Sequence, residues 1–132
     1  MKLRKASSAF LAAAFATMPL LSCVSDRTSV VEPSGDGCEV PASAIGSGHA
    51  VVFIRSFTFL PDTLRIAAGT TVTWVNCEAP SIPAHTSTGA GGTWDSGLLS
   101  PGESFARTFT ATGTNPYSCT PHPSMRGAII VQ

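Results

Sequence analysis

The sequence predicts an all-β domain, a sandwich or Greek-key barrel of about seven or eight strands. Three observations carry that expectation. Short runs rich in Val, Ile, Phe and Thr recur between clusters of Gly, Pro, Asn and Ser. Within several runs the apolar residues alternate with polar ones, the two-residue period of half-buried strands. No heptad, internal repeat or long helical period competes with that pattern.

Taken in order, HAVVFIRSFTFLP (His49–Pro61) is the first β-rich run. In TLRIAAGTTVTWVN (Thr63–Asn76), Leu64 and Ile66 alternate with polar neighbours, as do Val72 and Trp74 beyond the turn at Ala68–Gly69. Cys77–Gly102 then holds too much Gly and Pro for a regular element over most of its length. In ESFARTFTA (Glu103–Ala111), Phe105 and Phe109 share a strand face that Arg107 interrupts. Gly113 turns the chain into a strand over Asn115–Cys119. The closing GAIIVQ (Gly127–Gln132) is apolar on both faces, which suits a central strand.

Ahead of this domain the chain resembles an exported lipoprotein. Lys2, Arg4 and Lys5 precede the apolar run Phe10–Leu21, too short for a lone membrane-spanning helix and suited to a secretory signal. The run ends in LLSC, which resembles the bacterial lipobox, with Cys23 the lipidated residue. The expected organisation is a lipoprotein-type signal peptide over 1–22, a Pro- and Gly-bearing flexible tether over 23–37 and the compact domain over 38–132. The protein would then be periplasmic or at the cell surface, touching a membrane only through the lipid on Cys23.

From Cys23 onward five arginines and no lysine face eight acids, a net charge of −3. That excludes a basic nucleic-acid footprint and makes charge steering of a protein partner weak. In an oxidising compartment, Cys38 and Cys77 are expected to pair. The bond would close a loop of about 40 residues and contribute roughly 4 kcal/mol on a chain-entropy account. The alternative reading makes Cys77, eight residues before His85, a metal ligand.

The chemistry concentrates in YSCTPHPSMRG (Tyr117–Gly127). Cys119, His122 and Met125 stand three apart, and two strands anchor the short loop that holds them. Met125 is the sole methionine after the leader, and His85 offers a second imidazole from the long loop. A thiolate, two imidazoles and a weak axial thioether are the ligands of a blue-copper electron-transfer centre. Singly, each residue has a plainer explanation, Met125 as core and His122 as a surface residue. Together they point to one copper per chain.

At these residues the sequence resembles the cupredoxins, the type 1 blue copper proteins. YSCTPHPSMRGAIIV is similar to their ligand loop, and its Cys-x2-His-x2-Met spacing, with CTPHP around it, is most similar to that of the amicyanin-like members. AGTTVTWVN before a Pro-containing loop and a histidine, and SPGESFARTFTATGTNPYSC before the cysteine, extend the resemblance from about His49 to the C-terminus. It implies a cupredoxin fold, with His85 and His122 the equatorial ligands, Cys119 the thiolate and Met125 the axial ligand. It also implies one-electron transfer between Cu(I) and Cu(II), with transient contact near His122 to a donor and an acceptor protein.

Asn76, Thr86, Pro121 and Pro123 are the expected surround of the ligands. Plastocyanin-like members often carry an Asn after the first histidine to brace the cysteine loop; here Thr86 stands there. Pro121 and Pro123 lack N–H groups and cannot donate to the Cys119 sulfur. Ile82, Pro83, Pro121 and Pro123 are expected to rim the exposed edge of His122. His49 and Trp94 are expected to be structural. Three histidines and one loop cysteine are too few for a second or binuclear copper, so a monomeric carrier rather than an enzyme is expected. Copper storage, delivery or sensing with the same ligands is the alternative.

Overall fold

A computed structural model describes residues 38–132; the leader, Cys23 and the tether lie outside the described residues. Eight strands follow in order: β1 (His49–Arg55), β2 (Thr58–Leu60), β3 (Thr63–Ile66), β4 (Thr70–Asn76), β5 (Thr88–Gly89), β6 (Ser104–Phe109), β7 (Gly113–Ser118) and β8 (Arg126–Val131). They form two four-stranded sheets, ordered β2-β1-β4-β6 and β3-β8-β7-β5. Both are mixed, because β1 runs parallel to β4 and β3 runs parallel to β8. This is the expected all-β sandwich. Its interior holds Val52, Ile54, Phe59, Ile66, Val72, Trp74, Phe109, Tyr117, Ile129 and Val131.

The doubly apolar β8 lies between β3 and β7, as its composition requires. Two elements differ from the sequence reading. The first run breaks after Arg55, where Ser56 (φ 52°) and Phe57 (φ 56°) turn β1 back onto β2. Neither residue favours the left-handed region, so composition gives no signal of a turn. The turn expected at Ala68–Gly69 is present, and there Gly69 (φ 90°) carries the chain from one sheet to the other. The second difference is that β4 is buried on both faces from Val72 to Asn76 rather than alternately. A 3-10 turn at Ala42–Ala44 packs on its outer face, and a Cys38–Cys77 disulfide holds that segment there. The pairing expected of these two cysteines is therefore present, and Cys77 is no metal ligand.

Arg107, the misfit on β6, lies over the rings of Trp94 and Phe109 at 5.2 and 5.5 Å. Its guanidinium takes a place that alternation reserves for an apolar side chain, through a cation–π contact.

Candidate metal centre

The antiparallel strands β7 and β8 pair up to Ser118 and Arg126, leaving Cys119–Met125 as the connecting loop. The loop closes on itself. Cys119 N–H donates to the Met125 carbonyl at 3.1 Å and Met125 N–H to the His122 carbonyl at 2.9 Å. Cys119 and Met125 are buried beside the core aromatic residues, whereas His122 is only partly covered. Tyr117 and Cys119 share the inward face, as their two-residue offset requires.

His85 reaches the same place from the long loop. It exchanges backbone hydrogen bonds with Leu99, at 3.1 and 2.7 Å. Leu99 is held in turn by Asn76, whose Nδ2 donates to the Leu99 carbonyl at 2.8 Å while its Oδ1 accepts Glu78 N–H at 3.0 Å. Asn76 thus acts on the centre at one remove, through the segment that seats His85. Trp94 Nε1 donates to Ser87 Oγ at 3.1 Å, and its ring packs among Trp74, Phe109 and Tyr117. Trp94 is core, with Leu99 buried in the same cluster and Leu98 exposed.

Three donor atoms converge. Cys119 Sγ lies 3.7 Å from His85 Nδ1 and 3.5 Å from His122 Nδ1, and the two nitrogens are 3.0 Å apart. A point equidistant from all three is about 2.0 Å from each, a metal–nitrogen bond length and slightly short of a metal–sulfur one. Burial, reinforced by His122, holds the His85 pKa below its ordinary value against the pull of Glu78. Its imidazole is therefore neutral at pH 7, the form that binds a metal. Cys119 is the free cysteine among the described residues. A buried thiol facing two imidazole nitrogens, with Met125 buried alongside, fits copper.

The surround of the site is partly as expected. Thr86 braces the loop without an asparagine: its Oγ1 accepts Thr120 N–H at 2.8 Å, and its own N–H donates to Cys119 Sγ at 3.3 Å. The hydroxyls of Thr86, Thr88 and Thr120 stand within 2.9–3.3 Å of one another. Pro121 and Pro123 are exposed, as is Pro83, and Ile82 is half-buried. His49 opens β1 opposite Thr71, at the end of the strand away from Asn76, and is no part of the cluster.

Sequence reasoning missed Phe57 and Glu78. The Phe57 ring stands edge-on to both His85 and His122, its centroid 5.1 Å from each. Glu78 Oε1 lies 3.4 Å from His85 Nε2. Phe57 is 28 residues from His85 in sequence, and only the unforeseen turn after β1 brings it there.

Comparison with known proteins agrees with this geometry. The copper-binding proteins of the plastocyanin/azurin family match residues 46–132. The chain belongs to that family. Amicyanin of Paracoccus denitrificans is 32% identical over 99% of this chain and 96% of its own length. Amicyanin-alpha of Methylorubrum extorquens is 36% identical over 65% of this chain and 74% of its own. Among solved structures, a reduced Trp-to-Tyr variant of amicyanin superposes with a TM-score of 0.58 at 32% identity, covering 68% of this chain and 88% of that one. In this cupredoxin His85, Cys119, His122 and Met125 form a type 1 copper site. Bound there, copper supplies a one-electron couple between Cu(I) and Cu(II), and the protein serves electron transfer.

Proposed function

We propose that this cupredoxin is an exported, lipid-tethered electron shuttle that retains its copper and passes electrons through the exposed edge of His122. The unequal burial of the ligands carries this reading. His85 and Cys119 are fully buried and Met125 is 2% exposed, while His122 reaches the surface. An electron has a short way out at His122, and water has a poor way in elsewhere.

The chain's own groups have distinct tasks. Strands β7 and β8 keep the thiolate, one imidazole and the thioether at fixed spacing, so neither oxidation state needs a large rearrangement. The Thr86 N–H donates to the sulfur and shares the thiolate charge. The Phe57 ring edge-on to His122 and the exposed Pro121 and Pro123 on either side of it in the loop support an apolar border suited to brief contact with donor and acceptor proteins. A delivery protein would need exchangeable ligands; strand-clamped, buried ones favour retention. The protein would act as a monomeric carrier with no substrate chemistry of its own. The leader and LLSC support export from the cytoplasm and a lipid on Cys23.

The test is a visible spectrum after Cu(II) is added to metal-free protein. An intense blue band that ascorbate bleaches and an oxidant restores, with slow loss of copper to a chelator, is the expected result. Rapid surrender of copper in either state would favour delivery instead. Mass spectrometry of the cell-derived protein should find acyl chains on Cys23; an unmodified or absent Cys23 removes the tether.

A further inference from the structure

Glu78 joins two parts of the molecule at the copper centre. Its side chain is 6% exposed, so the carboxylate requires partners. Two face the same oxygen: the Phe57 N–H donates to Oε1 at 2.7 Å, and His85 Nε2 lies 3.4 Å away. Nε2 is buried and has no hydrogen-bond partner, and the Glu78 oxygen, a little beyond an ordinary bond length, is the acceptor that faces it. On the far side of the same ring, Nδ1 faces Cys119 and His122. The Glu78 backbone is fixed in turn by its N–H bond to Asn76.

Phe57 is the second element of the argument. A bulky residue at φ 56° is an outlier that surrounding contacts must sustain. Here they are the bond from its N–H to Glu78 and the edge-on packing of its ring against two imidazoles, at interplanar angles of 87° and 86°. The ring is 42% exposed, so packing against the core does not account for its position.

We propose that Glu78 is a positioning residue of the copper centre: one carboxylate oxygen takes both the His85 Nε2–H and the Phe57 N–H, so that Nδ1 is offered to copper and the Phe57 ring is held over both imidazoles. Carboxylates placed behind metal-binding histidines fix the tautomer and raise ligand basicity. A negative charge there also favours Cu(II). The proposal rests on the copper reading of the site, but its first test needs no metal.

In metal-free protein carrying 15N-histidine, NMR should find His85 in a single tautomer with a slowly exchanging Nε2–H. Glu78→Ala should give mixed tautomers and fast exchange. Glu78→Gln keeps an accepting oxygen and should retain the tautomer while losing the charge. In the copper-loaded protein, Glu78→Gln should raise the midpoint potential, a tenfold loss of preference for Cu(II) reading as about 59 mV for one electron. Glu78→Ala should also release copper about 10- to 100-fold more readily. A wild-type tautomer and exchange rate in Glu78→Ala, or an unmoved midpoint in Glu78→Gln, would overturn the proposal and reduce Glu78 to a cap on the β1–β2 turn. A colourless wild-type copper complex would defeat the copper reading, while a tautomer that depends on Glu78 would still uphold its hold on His85.

Discussion

Two loops build this copper centre by opposite means. Cys119–Met125 supplies three ligands from seven consecutive residues, kept in place by the strand pair at its ends and two backbone bonds of its own. Cys77–Gly102 supplies only His85, held by backbone bonds to Leu99 near the loop's far end and by the side chains of Glu78 and Asn76 at its start. The short loop takes its shape from the strand pair at its ends; the long one takes its shape from contacts that its own two ends and Asn76 make with the middle. Damage to the first should therefore strike the metal directly, and damage to the second should reach it through the fold.

The largest effect tests the first half of that contrast. Cys119→Ala should abolish the blue absorption outright while leaving the melting of the metal-free domain little changed; an intense band in the variant would mean another sulfur binds. Asn76→Ala should do the reverse. Losing one of the two bonds to the Leu99 carbonyl, which keeps the His85 N–H, and leaving the Glu78 N–H without its partner should cost roughly 1–3 kcal/mol in denaturant unfolding of the metal-free protein. A near-neutral result would show that Asn76 does not shape the long loop.

Thr86→Val strikes where the two loops meet. It removes the acceptor of Thr120 N–H, so about 1 kcal/mol of stability should go and copper should leave faster; Thr86→Ser should restore both. The long loop should also respond to pH. Burial depresses the His85 pKa in the folded state, so as pH falls the unfolded chain takes up the proton first. Stability of the metal-free protein is then full above about 6.5, the ordinary histidine value, and declines below it. Thermal melts across that range should show the decline, and a flat profile would contradict it.

The smallest effect sharpens the short loop. Pro121→Ala adds an N–H near the sulfur, which now takes a backbone donor from Thr86. Voltammetry should find a raised midpoint, by less than the 59 mV or so of a tenfold preference; a fall would mean that the proline acts only through loop shape.

The same contrast explains what could be read in advance. Cys119, His122 and Met125 are adjacent in sequence, so spacing alone revealed them, and the two faces of β8 announced a central strand. His85 was identifiable as the remaining imidazole after His49, whose place at the head of a strand suited no ligand. Phe57 and Glu78 left no comparable trace. Ser56–Phe57 is a turn with a lone serine and no Gly, Pro, Asn or Asp, stabilised by a carboxylate 21 residues away, and local propensity cannot register such a partner. The burial of Thr73 and Val75 escaped notice for a related reason, since it depends on the segment that the Cys38–Cys77 bond lays over β4.

The seven-residue spacing of the short loop also bears on how copper and folding are coupled. Because three donors are neighbours along the chain, they stay close when the sheets come apart, and an unfolded molecule can still grip the ion. A ligand that binds both states stabilises the native one only by the difference in affinity. That difference resides chiefly in His85, brought in by the closed sandwich. Copper is therefore expected to raise the melting temperature by less than its affinity for the native site implies, and a newly made chain can load before it folds.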